Sequence, residues 1–584
     1  MNGNWDLSFL YENFEDAAFL RDLDRLPGLI RALTDVLAAP GLTDRERLEQ
    51  LVDAEEALNV VADHVGSFIF LTQAVDAAND DAAKYADKYS LIMNEARLAD
   101  SAITRYVGQV SDLEGVIAQS PRLAQVAFAL REWADSARHT IDPLIEPWML
   151  EMQLSGGSAF SQLRDKLDST HTVDYRGQSL PLPAVRGMAY DADAAVRRDA
   201  YQAEIASYKK MEIPMSYCLN AIKMEARTMA RAQGYDSVLH MTLERTRMDQ
   251  ATLDAMIGAM KEYLPHFRRY LRAKAKLLGH PNGLPFYDLF APVGSAGRTY
   301  TVEECREKLM QELGKFDPDM AAFVDHAFEA RWIDLFPREG KSGGAFCSGV
   351  HDMDRSQIMT NFQGSFSDVS TIAHELGHAW HNRCMAGLPY ALTDTPMPLA
   401  ETASIFNETI LAHEVLKAAT PEEQLTLLDA TLVESTQTIV DILSRYLFET
   451  EVIDTRADHA MTVDELKDAM LRAQDATYGD GLDPAVRHPY MWACKSHYYS
   501  SGLNFYNFPY AFGELFGKGV FAQYLRKGSA FVPAYRQLLR SCGSGSVADV
   551  AASVGIDVRS ADFWRSSLEI IKDEIDRFCA LCGE

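Results

Sequence analysis

A chain of 584 residues with 47% hydrophobic content can bury large cores and is expected to form more than one lobe. Its net charge of −28 argues against nucleic-acid binding, because a surface rich in Asp and Glu repels phosphates and no local basic patch relieves it; the acidity is read mainly as serving solubility, the alternative being a field that favours basic or amino-terminal ends of peptides. Met1-Asn2-Gly3-Asn4-Trp5-Asp6 lacks the basic start and apolar stretch of a signal peptide, no apolar run approaches the ~20 residues of a membrane span, and eight cysteines are scattered without a framework, so the expectation is a soluble cytoplasmic protein with free thiols and no membrane partner. Cys579 and Cys582 form a single Cys-x-x-Cys with no second pair to complete a metal site.

Residues 1 to about 180 read as successive helices with apolar spacing. Thr43-Asp44-Arg45-Glu46, before Leu48 and Leu51, is a capping box, in which threonine and glutamate each satisfy a free backbone N–H of the other. Ser155-Gly156-Gly157-Ser158 and the turn Asp174-Tyr175-Arg176-Gly177-Gln178 loosen the pattern and suggest a small hairpin. A boundary near 185 then separates an N-terminal helical domain (1–185) from a second domain (186–584), with the lobes interleaved. Helices are predicted to begin near Thr301, Thr420 and Thr462, each followed three residues later by glutamate, which makes the fold class predominantly α.

Between Gly343 and Phe362 the pattern changes to two short extended segments, Ala345 to Val350 and Gln357 to Phe362, joined by His351-Asp352-Met353-Asp354-Arg355. An exposed strand edge there can pair with an extended peptide through main-chain hydrogen bonds. Gly343 and Gly344 permit close backbone approach, so Gly343, Gly344, Ala345 and Phe346 are candidate substrate-binding residues. The alternative is a hairpin that only caps the helix after it.

That helix carries His374-Glu375-Leu376-Gly377-His378. Val369, Ile372, Ala373, Leu376, Ala379 and Trp380 give it helical apolar spacing, Ser367 and Asp368 are candidate N-terminal caps, and Gly387 with Pro389 supplies a stop. Positions i and i+4 share a face, so His374 and His378 can turn their imidazoles to one Zn²⁺, with Glu375 beside it in the general-base position of a metallopeptidase. The competing reading is an amphipathic helix with two surface histidines. A third histidine in the metzincin position is excluded, because Cys384 and His381 stand where that class needs histidine and glycine. A second helix, Leu399 to Leu416, follows the breaker-rich Thr393-Asp394-Thr395-Pro396-Met397-Pro398 and carries Glu401 just inside its start and Glu408 two turns later on the same face. Glu401 is assigned as third ligand and Glu408 as a group that fixes the tautomer of a ligand imidazole, a solvated helix face being the alternative for either.

Peptide hydrolysis also needs donors for the oxyanion that forms when water attacks the carbonyl. The segment from His497 to Tyr510 offers a histidine and several phenols in a loop interrupted by Gly502 and Pro509, while Phe505, Phe508 and Phe512 read as core.

The run from Ser367 to His381, followed by Glu401-Thr402-Ala403-Ser404-Ile405-Phe406-Asn407-Glu408, resembles the M3 family of zinc oligopeptidases in its oligoendopeptidase F branch, with thimet oligopeptidase and the dipeptidyl carboxypeptidases more distant. Trp5-Asp6-Leu7, Gly343-Gly344-Ala345-Phe346-Cys347 and Pro509-Tyr510-Ala511-Phe512-Gly513 extend the likeness over nearly the whole chain. The resemblance implies a two-lobed helical metallopeptidase with one Zn²⁺ per chain at the base of a deep central channel, a small β-sheet next to the zinc helix, and cleavage of short peptides while folded proteins are spared. It also implies oxyanion-stabilising roles for His497 and Tyr506, with Tyr510 next. Pro509 takes one candidate position of the second tyrosine, so Tyr499 stays open as a substrate-binding residue.

The expected activity is zinc-dependent hydrolysis of internal bonds in short unfolded peptides, with Glu375 as the base. A carboxypeptidase of the same family and a non-catalytic peptide-binding protein are the alternatives. The oligomeric state is left open.

Overall fold

The structure, a computed structural model, describes residues 3–142, 144–294 and 298–584. Helix dominates, for reasons the sequence states locally. Thr43, Thr301, Thr420 and Thr462 each close a complete capping box, the threonine side chain accepting from the glutamate N–H and the glutamate carboxylate accepting from the threonine N–H.

Strand is confined to two small sheets among the described residues. β1 (Thr172–Tyr175) and β2 (Gln178–Pro181) form an antiparallel hairpin whose turn residues, Arg176 and Gly177, both have left-handed backbone (φ 47° and 81°), which matches the twist of a two-residue loop. Ser155–Ser158 takes no part in it and instead joins helices Glu146–Ser155 and Gly157–Thr170. The second sheet has the order β3-β5-β4, with β3 (Ile333–Asp334) parallel to β5 (Arg355–Met359) and β4 (Phe346–Val350) antiparallel to it. β5 therefore begins two residues before the predicted Gln357, and β4 is an edge strand.

Contacts divide the chain into two compact units, each drawn from three stretches. The first comprises Met1–Thr140, Gly297–Glu414 and Gln523–Gly555, and the second Ile141–Ala296, Val415–Ala522 and Ile556–Glu584. The expected boundary near 185 falls inside the second unit. The breakpoints of the two units depend on contacts between residues hundreds of positions apart, which local patterning does not encode.

In the first unit, helices Ala17–Ala38, Asp44–Val75 and Asp80–Val107 enclose a core around Phe19, Leu23, Leu26, Ile30 and Leu33. Tyr11, Phe14, Phe19, Phe68 and Tyr85 meet there with ring centroids 5.0–5.6 Å apart. Asp44–Val75 is long and apolar enough to cross a bilayer by composition, contrary to the sequence expectation, but half of its apolar window is buried in this core.

The second unit is built on Gln250–Leu277 and Ala561–Leu581, with Tyr270 edge-on to Phe578 at 5.0 Å. Its interior also holds charge. Lys274 and the Tyr270 hydroxyl donate to Asp429 at 3.0 and 2.7 Å, and Lys223 donates to Glu449 at 2.7 Å. Burial of such groups is tolerated because each carboxylate has its donors.

Candidate metal centre

The motif helix, Phe366–Met385, is started by Ser365 rather than by Ser367 or Asp368. Ser365 accepts from the Asp368 N–H and Asp368 returns the bond, so Asp368 sits in the first turn of a capping box. The helix lies against β4 and β5. Asn382 packs over Gly349, where a Cβ would come within 2.6 Å of the Asn382 amide nitrogen, and donates to Ser356 at 3.1 Å.

Glu401 stands at a break, between the short helix Met397–Ala400 and the helix Thr402–Ala418, not within one continuous helix. Two contacts bring it to the motif helix. A Cβ on Gly377 would lie 2.5 Å from the Ala403 carbonyl and from the Ser404 Cα, so only glycine lets the two backbones cross this closely. The buried Asn407 then donates its amide to the Ala373 carbonyl at 3.1 Å.

This crossing sets three acceptor atoms at the corners of a nearly equilateral triangle. His374 Nε2 and His378 Nε2 are 3.2 Å apart, and Glu401 Oε2 is 3.2 Å from the first and 3.3 Å from the second. Ligands at zinc's tetrahedral distance of about 2.0–2.1 Å are about 3.3 Å from one another, so the triangle has the size of one face of a zinc tetrahedron. No Lys or Arg pairs with Glu375, Glu401 or Glu408 among the described ion pairs, which leaves the positive charge to a metal. The residues fit the ion.

Neighbouring groups hold the triangle in place. Glu408 contacts His374 Nδ1 at 2.5 Å, which keeps the proton on Nδ1 and frees the Nε2 lone pair. Ser404 donates to Glu401 Oε2 at 2.7 Å. Glu375 is only 5% exposed, its Oε2 has no hydrogen-bond partner, and burial pushes its carboxyl up. An orphaned buried oxygen beside a metal triangle is placed to handle a proton. Cys347 of β4 borders it, since burial and then the Glu375 charge raise that thiol. His381, on the same helix, turns into the core, donates to the Leu539 carbonyl at 3.2 Å, and is brought down to about 4 by burial.

Upstream of β4, Gly343 and Gly344 are exposed, and Gly344 has a left-handed φ of 80°. Asn361 clamps the loop by donating to the Ser342 and Gly344 carbonyls at 3.0 and 2.9 Å. Ala345 and Phe346 are half-buried, and Phe346 packs on Trp5 and Phe70.

Within the second unit His497, Tyr506 and Tyr510 come together, with ring centroids 5.2 Å (His497–Tyr506), 6.0 Å (His497–Tyr510) and 5.2 Å (Tyr506–Tyr510) apart. Burial, then Arg445 and Lys495, lowers His497. The loop before Tyr506 is fixed by Glu449, a buried carboxylate that sequence reasoning overlooked. Glu449 accepts from Lys223 at 2.7 Å, from the Phe505 N–H at 3.0 Å and from the Asn507 amide at 2.7 Å, and Phe505 is held in left-handed backbone at φ 53°. A lone glutamate mid-helix, 56 residues before its partner, carries no local signal. Tyr499 does not join this cluster. It is 2% exposed, with the Arg164 guanidinium 5.4 Å from its ring centroid, and belongs to the core rather than to a substrate surface.

A second ligand-type cluster, Glu204, His488 and Cys494, lies buried in the second unit. There the positive role is taken: Arg186 lies 3.3 Å from Glu204 and donates to the Cys494 carbonyl, and the Tyr208 hydroxyl donates to Glu204 at 2.8 Å.

Residues 187–570 match the sequence model of peptidase family M3. Among curated proteins, the oligoendopeptidase F homolog of Lactococcus lactis is 26% identical over 383 residues, 65% of this chain and 63% of that protein, and the Mycoplasma pneumoniae homolog is 21% identical over 591 residues, 97% and 95% of the two chains. The match to the Lactococcus relatives thus spans less than two-thirds of their length. In fold, the chain is similar to the crystal structure of a provisionally assigned peptidase from Chlamydophila abortus (TM-score 0.87, 22% identity, 99% of this chain and 98% of that one). It is also similar to that of oligoendopeptidase-F from Enterococcus faecium (TM-score 0.71, 17% identity, 96% and 98%). With the family match covering most of the chain, this protein belongs to peptidase family M3.

Proposed function

We propose that the chain is a zinc-dependent endopeptidase that hydrolyses internal bonds of short, unfolded peptides. The observation that carries this reading is the triangle of His374 Nε2, His378 Nε2 and Glu401 Oε2 at 3.2–3.3 Å, with the orphaned Glu375 Oε2 beside it. Zinc held there would supply Lewis acidity, polarising the scissile carbonyl and making water acidic enough to attack at neutral pH.

The chain's own residues do the rest. Glu375 Oε2 takes the proton of the attacking water and delivers it to the leaving amine; burial, which pushes its carboxyl up, favours the proton-bound form between those two steps. Glu408 keeps His374 in the tautomer that offers Nε2. β4 pairs with β5 along one edge only, so its other edge has main-chain donors and acceptors for an extended peptide, a mode that reads backbone rather than side chains. His497, Tyr506 and Tyr510 donate hydrogen bonds to the oxyanion, with Glu449 fixing the loop from which Tyr506 projects.

Mass mapping of products from a ten-residue peptide blocked at both termini tests the reading. Internal cuts are expected; products shortened only after unblocking of one end would instead indicate an exopeptidase.

A further inference from the structure

The helix Glu146–Ser155 contradicts the usual rule for apolar helices. Leu144, Ile145, Trp148, Leu150, Met152 and Leu154 are between 52% and 83% exposed, and none of the helix's residues is buried. At 100° per residue Trp148 and Met152 share one face and Leu150 and Leu154 the opposite one, with Leu144 and Ile145 just before the helix, a two-sided apolar pattern normally found inside a core. Large apolar side chains left exposed together on one element mark an interaction surface.

The helix is anchored to the loop that carries His497. Gly156 and Gly157 connect it to the helix Gly157–Thr170, and a Cβ on Gly157 would lie 2.7 Å from Ser501 Cβ and 2.3 Å from Glu225. The Gly157 N–H donates to Glu225 at 2.6 Å, and Ser161 donates to the Tyr499 carbonyl at 2.5 Å. The apolar helix is thus tied, through the helix that follows it and within one unit, to the loop that carries His497.

Its charge selects the occupant. From His139 to Leu163 the chain has Asp142, Glu146 and Glu151 and no Lys or Arg. A second copy of this chain docking here by two-fold symmetry would set these acids against themselves. A peptide with apolar side chains and Lys or Arg meets both demands.

We propose that the helix Glu146–Ser155 is a docking surface for the peptide substrate that selects segments combining apolar and basic residues. This rests on the peptidase reading, and it names the class of peptide preferred. The helix acts on affinity and leaves the chemical step to the residues already assigned.

The test is fluorescence anisotropy of two labelled peptides on zinc-loaded protein carrying Glu375→Gln. One peptide alternates Leu, Phe and Lys, and the other has Ser in place of Leu and Phe. The first is expected to bind about tenfold tighter, as burial of one or two apolar side chains implies. Trp148→Ser and, separately, Leu150→Ser should remove most of that difference, whereas Leu98→Ser, 72% exposed on another helix, should keep it. A preference that survives both substitutions overturns the proposal, as does sedimentation showing a dimer that Trp148→Ser converts to monomer. Because binding is read without turnover, failure of the hydrolytic reading would leave this preference intact and so be seen separately.

Discussion

Two clusters among the described residues offer metal-ligand side chains within reach of one another, and they differ in whether a cationic side chain already stands among the ligands. At His374, His378 and Glu401 three lone pairs converge with no cationic side chain to meet them. At Glu204, His488 and Cys494 the ligand-type side chains are buried more deeply, but Arg186 and Tyr208 already supply charge and hydrogen bonds. Ligand identity and proximity are therefore insufficient. What separates the two is whether the protein itself has filled the cation's place, since a dication beside a guanidinium would be repelled in a low-dielectric interior.

The largest expected effect breaks the comparison directly. His378→Ala should lose stoichiometric zinc on dialysis, together with measurable peptide hydrolysis, whereas Cys494→Ala should keep one zinc per chain by mass spectrometry of the native protein. Zinc loss from Cys494→Ala would mean that the buried cluster is the occupied one.

A pH effect of roughly 3 kcal/mol follows from His381, which is buried on the motif helix with a carbonyl partner. Its folded value of about 4 lies below that of an unfolded histidine, so the unfolded chain takes up the proton first as pH falls. Its stabilising share is complete above about pH 6.5 and is lost between there and pH 4. Urea midpoints across that range should show the slope in the wild type and a flatter one in His381→Gln; equal slopes would assign the titration elsewhere.

A smaller effect sharpens the account of the outer contacts. Glu408→Gln keeps an acceptor at His374 Nδ1 but loses its charge, and should weaken zinc affinity about 10–100-fold by competition with a chelating dye. Unchanged affinity would reduce Glu408 to a packing residue.

Part of this centre was legible in the sequence because it is written in helical spacing, i and i+4 for the two histidines; the spacing of Glu401 and Glu408 pointed to one helix, which the structure breaks at Glu401. The parts that were not legible depend on crossings between elements. Gly377 looks like filler in the motif until Ala403 and Ser404 lie against it, and Asn407 until its amide meets the Ala373 carbonyl. The helix start moved from Ser367 to Ser365 because Asp368 could serve either as a cap or as the third residue of a capping box, and only backbone geometry chooses. β3 is two residues long, too short for any periodicity, and the breakpoints of the two units lie in long-range contacts. Tyr499 was drawn toward the substrate by neighbours of like type, when burial under Arg164 decides otherwise.

The central claim is that Glu375 moves the proton at a metal held by other residues, and one substitution tests it. Glu375→Gln should retain one zinc per chain while hydrolysis of an internally quenched peptide falls by about 10²–10⁴-fold. A near-normal rate with zinc in place, or loss of the metal itself, would contradict the account.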